Sequence, residues 1–165
     1  MKTTLLLMGM MLLVLTGCKD ENATGPVAIK YDREICQYCK MIISDPRFAA
    51  EIRLAKGDEV FKFDDMGGAV LWLETRKTSE TPQTEIWVRD MKTGTKWLDA
   101  KKVYYIGKQH SPMDYGFGAV ETKEDGAIDF AEMRKQVIAH GSNSHCETPP
   151  ATGERPSANA NDKKG

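Results

Sequence analysis

The N-terminus constrains this chain first. Lys2 precedes an apolar run from Leu5 to Leu15, and the small residues Thr16-Gly17-Cys18 close it. At 1.5 Å per residue the run reaches about 16 Å as a helix, roughly half of the 30 Å hydrocarbon layer, so it reads as a secretory signal and not as a membrane span. The body that follows is then expected to fold in an oxidising compartment, where paired cysteines carry a different meaning than they do in the cytosol. With 4 cysteines, 9 methionines and only 3 histidines in 165 residues, sulfur is the ligand type in excess.

Leu15-Thr16-Gly17-Cys18 resembles the bacterial lipoprotein box, in which the cysteine is acylated and becomes the first residue of the mature chain. Acyl chains contribute about 0.8 kcal/mol per buried methylene, which predicts a body held on a membrane surface through Cys18. Lys19 follows that cysteine where an aspartate would resemble an inner-membrane retention signal, which favours the outer membrane. The expected organisation is a signal peptide over 1–17, a lipidated flexible tether over 18–30, one folded domain over 31–140 and a disordered tail over 141–165. The tail carries Gly, Ser, Asn, Pro and Ala without large apolar side chains, too little to offset the entropy of ordering. Lys plus Arg (23) nearly cancels Asp plus Glu (24), so no basic field marks a nucleic-acid partner.

Between the tails, Ala50-Glu51-Ile52-Arg53-Leu54 alternates, Lys56-Gly57-Asp58 punctuates, and Val60-Phe61-Lys62-Phe63 resumes, the pattern of a β-hairpin. Asp64 or Asp65 can cap a helix in which Met66, Ala69, Val70 and Leu73 recur at helical spacing. Ile86–Arg89, Val103–Ile106 and Gly118–Glu121 read as further strands. Asp129, with Glu132 in capping-box position, opens a second helix that Gly141 ends. The expected fold class is α+β: two small related halves of β-β-α type packed together. The Ser44-Asp45-Pro46 and Ser111-Pro112-Met113 loops recur in the two halves, so their meeting point is an expected site.

The chemistry concentrates at Cys36-Gln37-Tyr38-Cys39-Lys40-Met41. If Met41-Ile42-Ile43 continues as a strand, Cys39 and Met41 point to one face with their Cα atoms about 6.6 Å apart. Thiolate and thioether could then converge on one soft ion, and such ligands select Cu(I). The same Cys-x-x-Cys pair also suits a structural disulfide or a thiol-disulfide oxidoreductase using Cys36 and Cys39. Against a thioredoxin-like enzyme, the pair opens no helix within a βαβ pattern.

Tyr38-Cys39-Lys40-Met41, Phe63-Asp64-Asp65-Met66, Trp97-Leu98-Asp99-Ala100, Lys101–Gly107, Ser111-Pro112-Met113, Ala119-Val120 and Phe130-Ala131 together resemble the NosL family over about residues 31–140. The resemblance implies a membrane-anchored accessory protein that binds Cu(I) outside the cytoplasm and helps assemble the copper centre of nitrous-oxide reductase. The implied partners are that reductase and its assembly machinery. Carried over by position, Cys39 and Met41 match the family's Cys-Gly-Met element, and Met113 matches a methionine supplied by the second half. Lys40 and Asp114 stand where the family usually has glycine. Cys36 is not a fixed family position; it is a second thiolate, a disulfide partner of Cys39, or neither.

Plainer roles compete for the remaining candidates. Met66 and Met133 fit helical apolar faces and read as core, and Met91 beside Lys92-Thr93-Gly94 reads as a turn residue. His110, three residues before Met113, either joins the ion or is a solvated loop histidine. His140, His145 and Cys146 fall at or beyond the end of the last helix. Asp64-Asp65 offers oxygen ligands for a hard ion, but two aspartates at a helix start read first as capping favoured by the helix dipole. No Ser-His-Asp set or phosphate-binding glycine loop is present, so no catalytic residue is expected and the chain reads as a metallochaperone. The ion would be held by Cys39, Met41 and Met113, with Cys36 and His110 as further donors, within one chain or across a homodimer. The competing readings are the oxidoreductase and a metal-free docking lipoprotein.

Overall fold

The structure, a computed structural model, describes residues 23–76 and 80–141. Cys18, His145 and Cys146 lie outside the described residues, as does most of the expected C-terminal tail.

Four antiparallel strands form the first sheet: β1 (Ala50–Arg53), β2 (Val60–Phe63), β3 (Glu85–Arg89) and β4 (Trp97–Asp99), in the order β2-β1-β3-β4. A smaller sheet holds β5 (Tyr104–Ile106), β6 (Gly118–Val120) and β7 (Ile128–Asp129), in the order β6-β5-β7. Two helices, α1 (Met66–Thr75) and α2 (Phe130–His140), pack on the sheets and on each other. The α+β class with two small sheet-and-helix halves is as expected; the chain differs in sending β3 and β4 to join the first hairpin.

Alternation decides which face of the first sheet is apolar. Ala50 and Ile52 on β1, Phe63 on β2, Ile86 and Val88 on β3, and Leu98 on β4 are all buried on one side. Against them lies α1, whose residues Met66 to Leu73 are buried all round, as a helix between two layers must be. Trp72 sets its ring edge-on to Phe63 at 5.4 Å. Met66 and Met133 are core residues, as their spacing predicts. The two sheets are joined where the Met91 N–H donates to the Ala119 carbonyl at 2.8 Å.

On the opposite face of the first sheet Glu51 and Arg53 are buried, because residues 23–30 run across them. The Gly25 and Val27 N–H groups donate to the carboxylates of Glu85 and Glu51 at 2.7 and 2.9 Å. Arg53 and Lys62 return hydrogen bonds to the Gly25 and Ala28 carbonyls at 2.9 and 3.0 Å. Residues 23–30 are therefore a strap and not the free tether expected through Lys30. Burial under this strap pushes the Glu51 carboxyl up to about 7, against the Val27 hydrogen bond and the nearby Lys62 charge.

Candidate metal centre

Residues 36–41 form a tight loop instead of the expected strand. A single bridge pairs Ile35 with Ile42. The Cys36 N–H donates to the Met41 carbonyl at 2.8 Å, and the Lys40 N–H to the Cys36 carbonyl at 3.1 Å. Lys40 sits at φ +65°, which reverses the chain between Cys39 and Met41 and ends the alternation on which a shared face depends. The Met41 N–H then points at the Cys39 sulfur, 3.4 Å away. Cys36 is fully buried, Cys39 half-buried, and Met41 exposed.

Behind this loop stands the start of α1. Cys39 Sγ donates to Asp64 Oδ2 at 3.2 Å. One donor atom each from Cys36, Cys39 and Asp64 lie within 4.8 Å of one another, and both cysteines are free thiols. The hydrogen bond from Cys39 favours the Cys36 thiolate and holds Cys36 below the usual thiol range, while that bond and burial hold Cys39 above it.

The next residue performs a different task. Asp65 is the N-cap of α1: its Oδ1 accepts the Gly67 N–H at 2.8 Å. Its Oδ2 accepts the Met113 N–H at 3.2 Å, which pins the loop 111–117 to the helix start. Burial pushes the Asp65 carboxyl up to about 6, partly offset by hydrogen bonds from Ser111, Gly67 and Met113. The loop closes on itself through Asp114 N–H to the Ser111 carbonyl and Gly116 N–H to Ser111 Oγ, both at 3.0 Å. Met113 is 4% exposed yet lies outside the contiguous core cluster.

Gly67 and Gly68 let both loops approach the helix. A Cβ on Gly67 would stand 2.1 Å from Cγ of Tyr115, and one on Gly68 would stand 3.4 Å from Cδ1 of Tyr38. The Phe63-Asp64-Asp65-Met66-Gly67-Gly68 junction is thus a hub: Asp64 meets Cys39, Asp65 holds Met113, and each glycine seats a tyrosine from one loop. The meeting point expected at the two Pro-containing loops is shifted. Pro46 packs at the Gly94 turn, and residues 36–41 take its place opposite 111–117. His110 is exposed immediately before the second loop, and His140 is exposed on the last turn of α2. Asp64, which sequence reasoning assigns to capping, stands instead beside the thiols. Its signal is the doubled aspartate, since one cap needs only one.

A sequence model of the NosL family matches residues 26–142. The chain belongs to the NosL family. Among solved structures it is similar to the crystal structure of the copper chaperone NosL from Shewanella denitrificans. That match has a TM-score of 0.52 and 17% identity, and covers 69% of this chain and 89% of the other. No curated protein matches the sequence significantly. The NosL match begins inside the strap, which places the strap with the domain. Lys40 and Asp114, the two departures from glycine in the expected NosL pattern, both keep left-handed backbone, at φ +65° and +57°. The turns that glycine would make are therefore made here without it, at a strain of about 1–2 kcal/mol each.

Proposed function

We propose that this NosL-family chain is a Cu(I) chaperone, not an enzyme, that carries copper for assembly of the copper centre of nitrous-oxide reductase. The observation that carries the reading is the Asp64-Asp65 hub, which ties a thiol-bearing loop and a methionine-bearing loop to consecutive residues. Cys39, Met41 and Met113 are the proposed ligands, with Cys36 and His110 as further donors. Soft thiolate and thioether sulfur favours Cu(I) over the harder ions of an extracytoplasmic space.

Burial differs among these donors in a way that suits handover. Met113 and Cys36 are closed off, while Cys39 is half-buried and Met41 is 45% exposed. An acceptor's ligand would enter on the Met41 side and take the ion by ligand exchange, with no bond made or broken in the protein itself. Acylation at Cys18 would anchor the domain at the periplasmic face of a bacterial membrane, with the outer membrane favoured. Because the Ala23 carbonyl already accepts the Gly57 N–H, the chain from Cys18 to Ala23 limits the stand-off to about 18 Å.

A competition titration against a chromophoric Cu(I) chelator, on reduced protein, tests the reading. Cys39→Ala loses Cu(I) binding and Met113→Leu weakens it. Parental affinity in Cys39→Ala overturns the proposal. Dithiol turnover with a measured reduction potential, indifferent to Met41 and Met113, would instead establish an oxidoreductase.

A further inference from the structure

The two aspartates at the foot of α1 differ in how far their oxygens are used. Both Asp65 oxygens accept backbone N–H groups. Asp64 is 2% exposed; its Oδ2 accepts from Cys39, and its Oδ1 is buried with no hydrogen-bond partner among the described residues. An unsatisfied buried carboxylate oxygen is costly, and a cation is a partner that removes the cost. Here that oxygen belongs to a carboxylate already in contact with a thiol and within 4.8 Å of a second one.

This donor set does not suit a monovalent soft ion. A carboxylate is a hard ligand that adds little affinity for Cu(I). Two thiolates and a carboxylate also carry three negative charges, of which a monovalent ion leaves two uncompensated in a largely buried site and a divalent ion leaves one. We propose that Cys36, Cys39 and Asp64 form a site for a thiophilic divalent cation of the zinc type, which shares its thiols with the copper site but replaces the thioethers by a carboxylate. A tetrahedral ion with ligands at about 2.3 Å (sulfur) and 2.0 Å (oxygen) holds its donors about 3.5–3.8 Å apart. The Cys39–Asp64 contact of 3.2 Å is already that close. The widest separation in the trio need contract by only about 1 Å from the observed bound of 4.8 Å. The half-buried Cys39 leaves the fourth position open to solvent. Because Cys39 belongs to both donor sets, and Cys36 is a further donor to copper, binding of one ion excludes the other.

The test uses the reduced full chain with Cys18→Ser and Cys146→Ser, so that Cys36 and Cys39 are its remaining thiols. Zinc(II) is titrated against a chromophoric chelator, and cobalt(II) reports thiolate ligation by its charge-transfer absorption. The expected result is one equivalent of zinc with two-thiolate cobalt absorption, and zinc affinity at least tenfold weaker in Asp64→Asn and in Cys36→Ser. No zinc binding, or parental affinity in Asp64→Asn, overturns the proposal. Should Asp64→Asn fail to fold by circular dichroism, zinc-edge X-ray absorption of the parent decides. Two sulfur neighbours with oxygen support the site, and any other sulfur count or imidazole scattering refutes it. Cu(I) affinity of the same preparations is read separately: its absence refutes the copper reading alone, and its presence without zinc binding refutes only the second site.

Discussion

Gly67→Ala tests whether the helix start positions the methionine loop. The new Cβ would stand 2.1 Å from Cγ and 2.3 Å from Cδ2 of Tyr115, where real contacts do not fall below about 3 Å, so the ring has to move by about 1 Å or more. Overpacking of this kind costs about 1–3 kcal/mol, and replacing glycine by alanine in a helix returns at most about 1 kcal/mol. The net expectation is a loss of about 0–3 kcal/mol in folding stability. Tyr115 follows Met113 by two residues in a loop held to Asp65 by the Met113 N–H and the Ser111 side chain, so the displacement is felt at the thioether. Loss of that ligand is expected to weaken Cu(I) binding at least tenfold, which is about 1.4 kcal/mol. Gly68→Ala is the control, since its Cβ would meet Tyr38 at an ordinary 3.4 Å. That variant is expected to keep Cu(I) affinity and to gain up to about 1 kcal/mol. Urea denaturation and Cu(I) competition on both variants check this. Parental Cu(I) affinity in a folded but destabilised Gly67→Ala would refute the idea that Tyr115 seating positions Met113.

Asp65→Ala removes both a helix cap and the acceptor of the Met113 N–H, and is expected to cost about 2–4 kcal/mol by urea denaturation. Lys40→Gly relieves left-handed backbone and loses only the exposed Nζ bond to the Gln37 carbonyl, so its urea midpoint should rise by an equivalent of about 1 kcal/mol. Glu51 at about 7 and Asp65 at about 6 are both raised above their ordinary values of 4.5 and 3.8. The folded state therefore binds more protons than the unfolded chain, so the stability these groups contribute is fully present below about pH 4 and is lost as pH rises through 6 to 7. Urea midpoints should fall between pH 5 and pH 8, and Glu51→Gln should flatten the upper part of that fall; a steeper fall in Glu51→Gln would contradict the assignment.

Much of the fold is legible in patterning. Val60–Phe63 is the strand its alternation predicts, and Asp65 and Asp129 are the caps that side-chain acceptors ahead of apolar periodicity predict. Short or covered elements are harder to see. β7 is two residues long, too short for a period to declare itself. The strap over 23–30 has the composition of a tether. Its binding partners, Glu51 and Arg53, occupy strand positions where alternation predicts solvent. At the site, Lys40 conceals a left-handed turn because lysine carries no signal for positive φ, so a loop passes for a strand. Asp64 is concealed by its neighbour, since capping accounts for one aspartate and hides the need to explain two.

Copper-edge X-ray absorption on the reduced, Cu(I)-loaded full chain and on its Met113→Leu variant tests the central claim most directly, because the neighbour count reports whether both loops reach one ion. The account predicts a shell of at least two sulfurs in the parent and one sulfur fewer in Met113→Leu. An identical shell in the two proteins would contradict it.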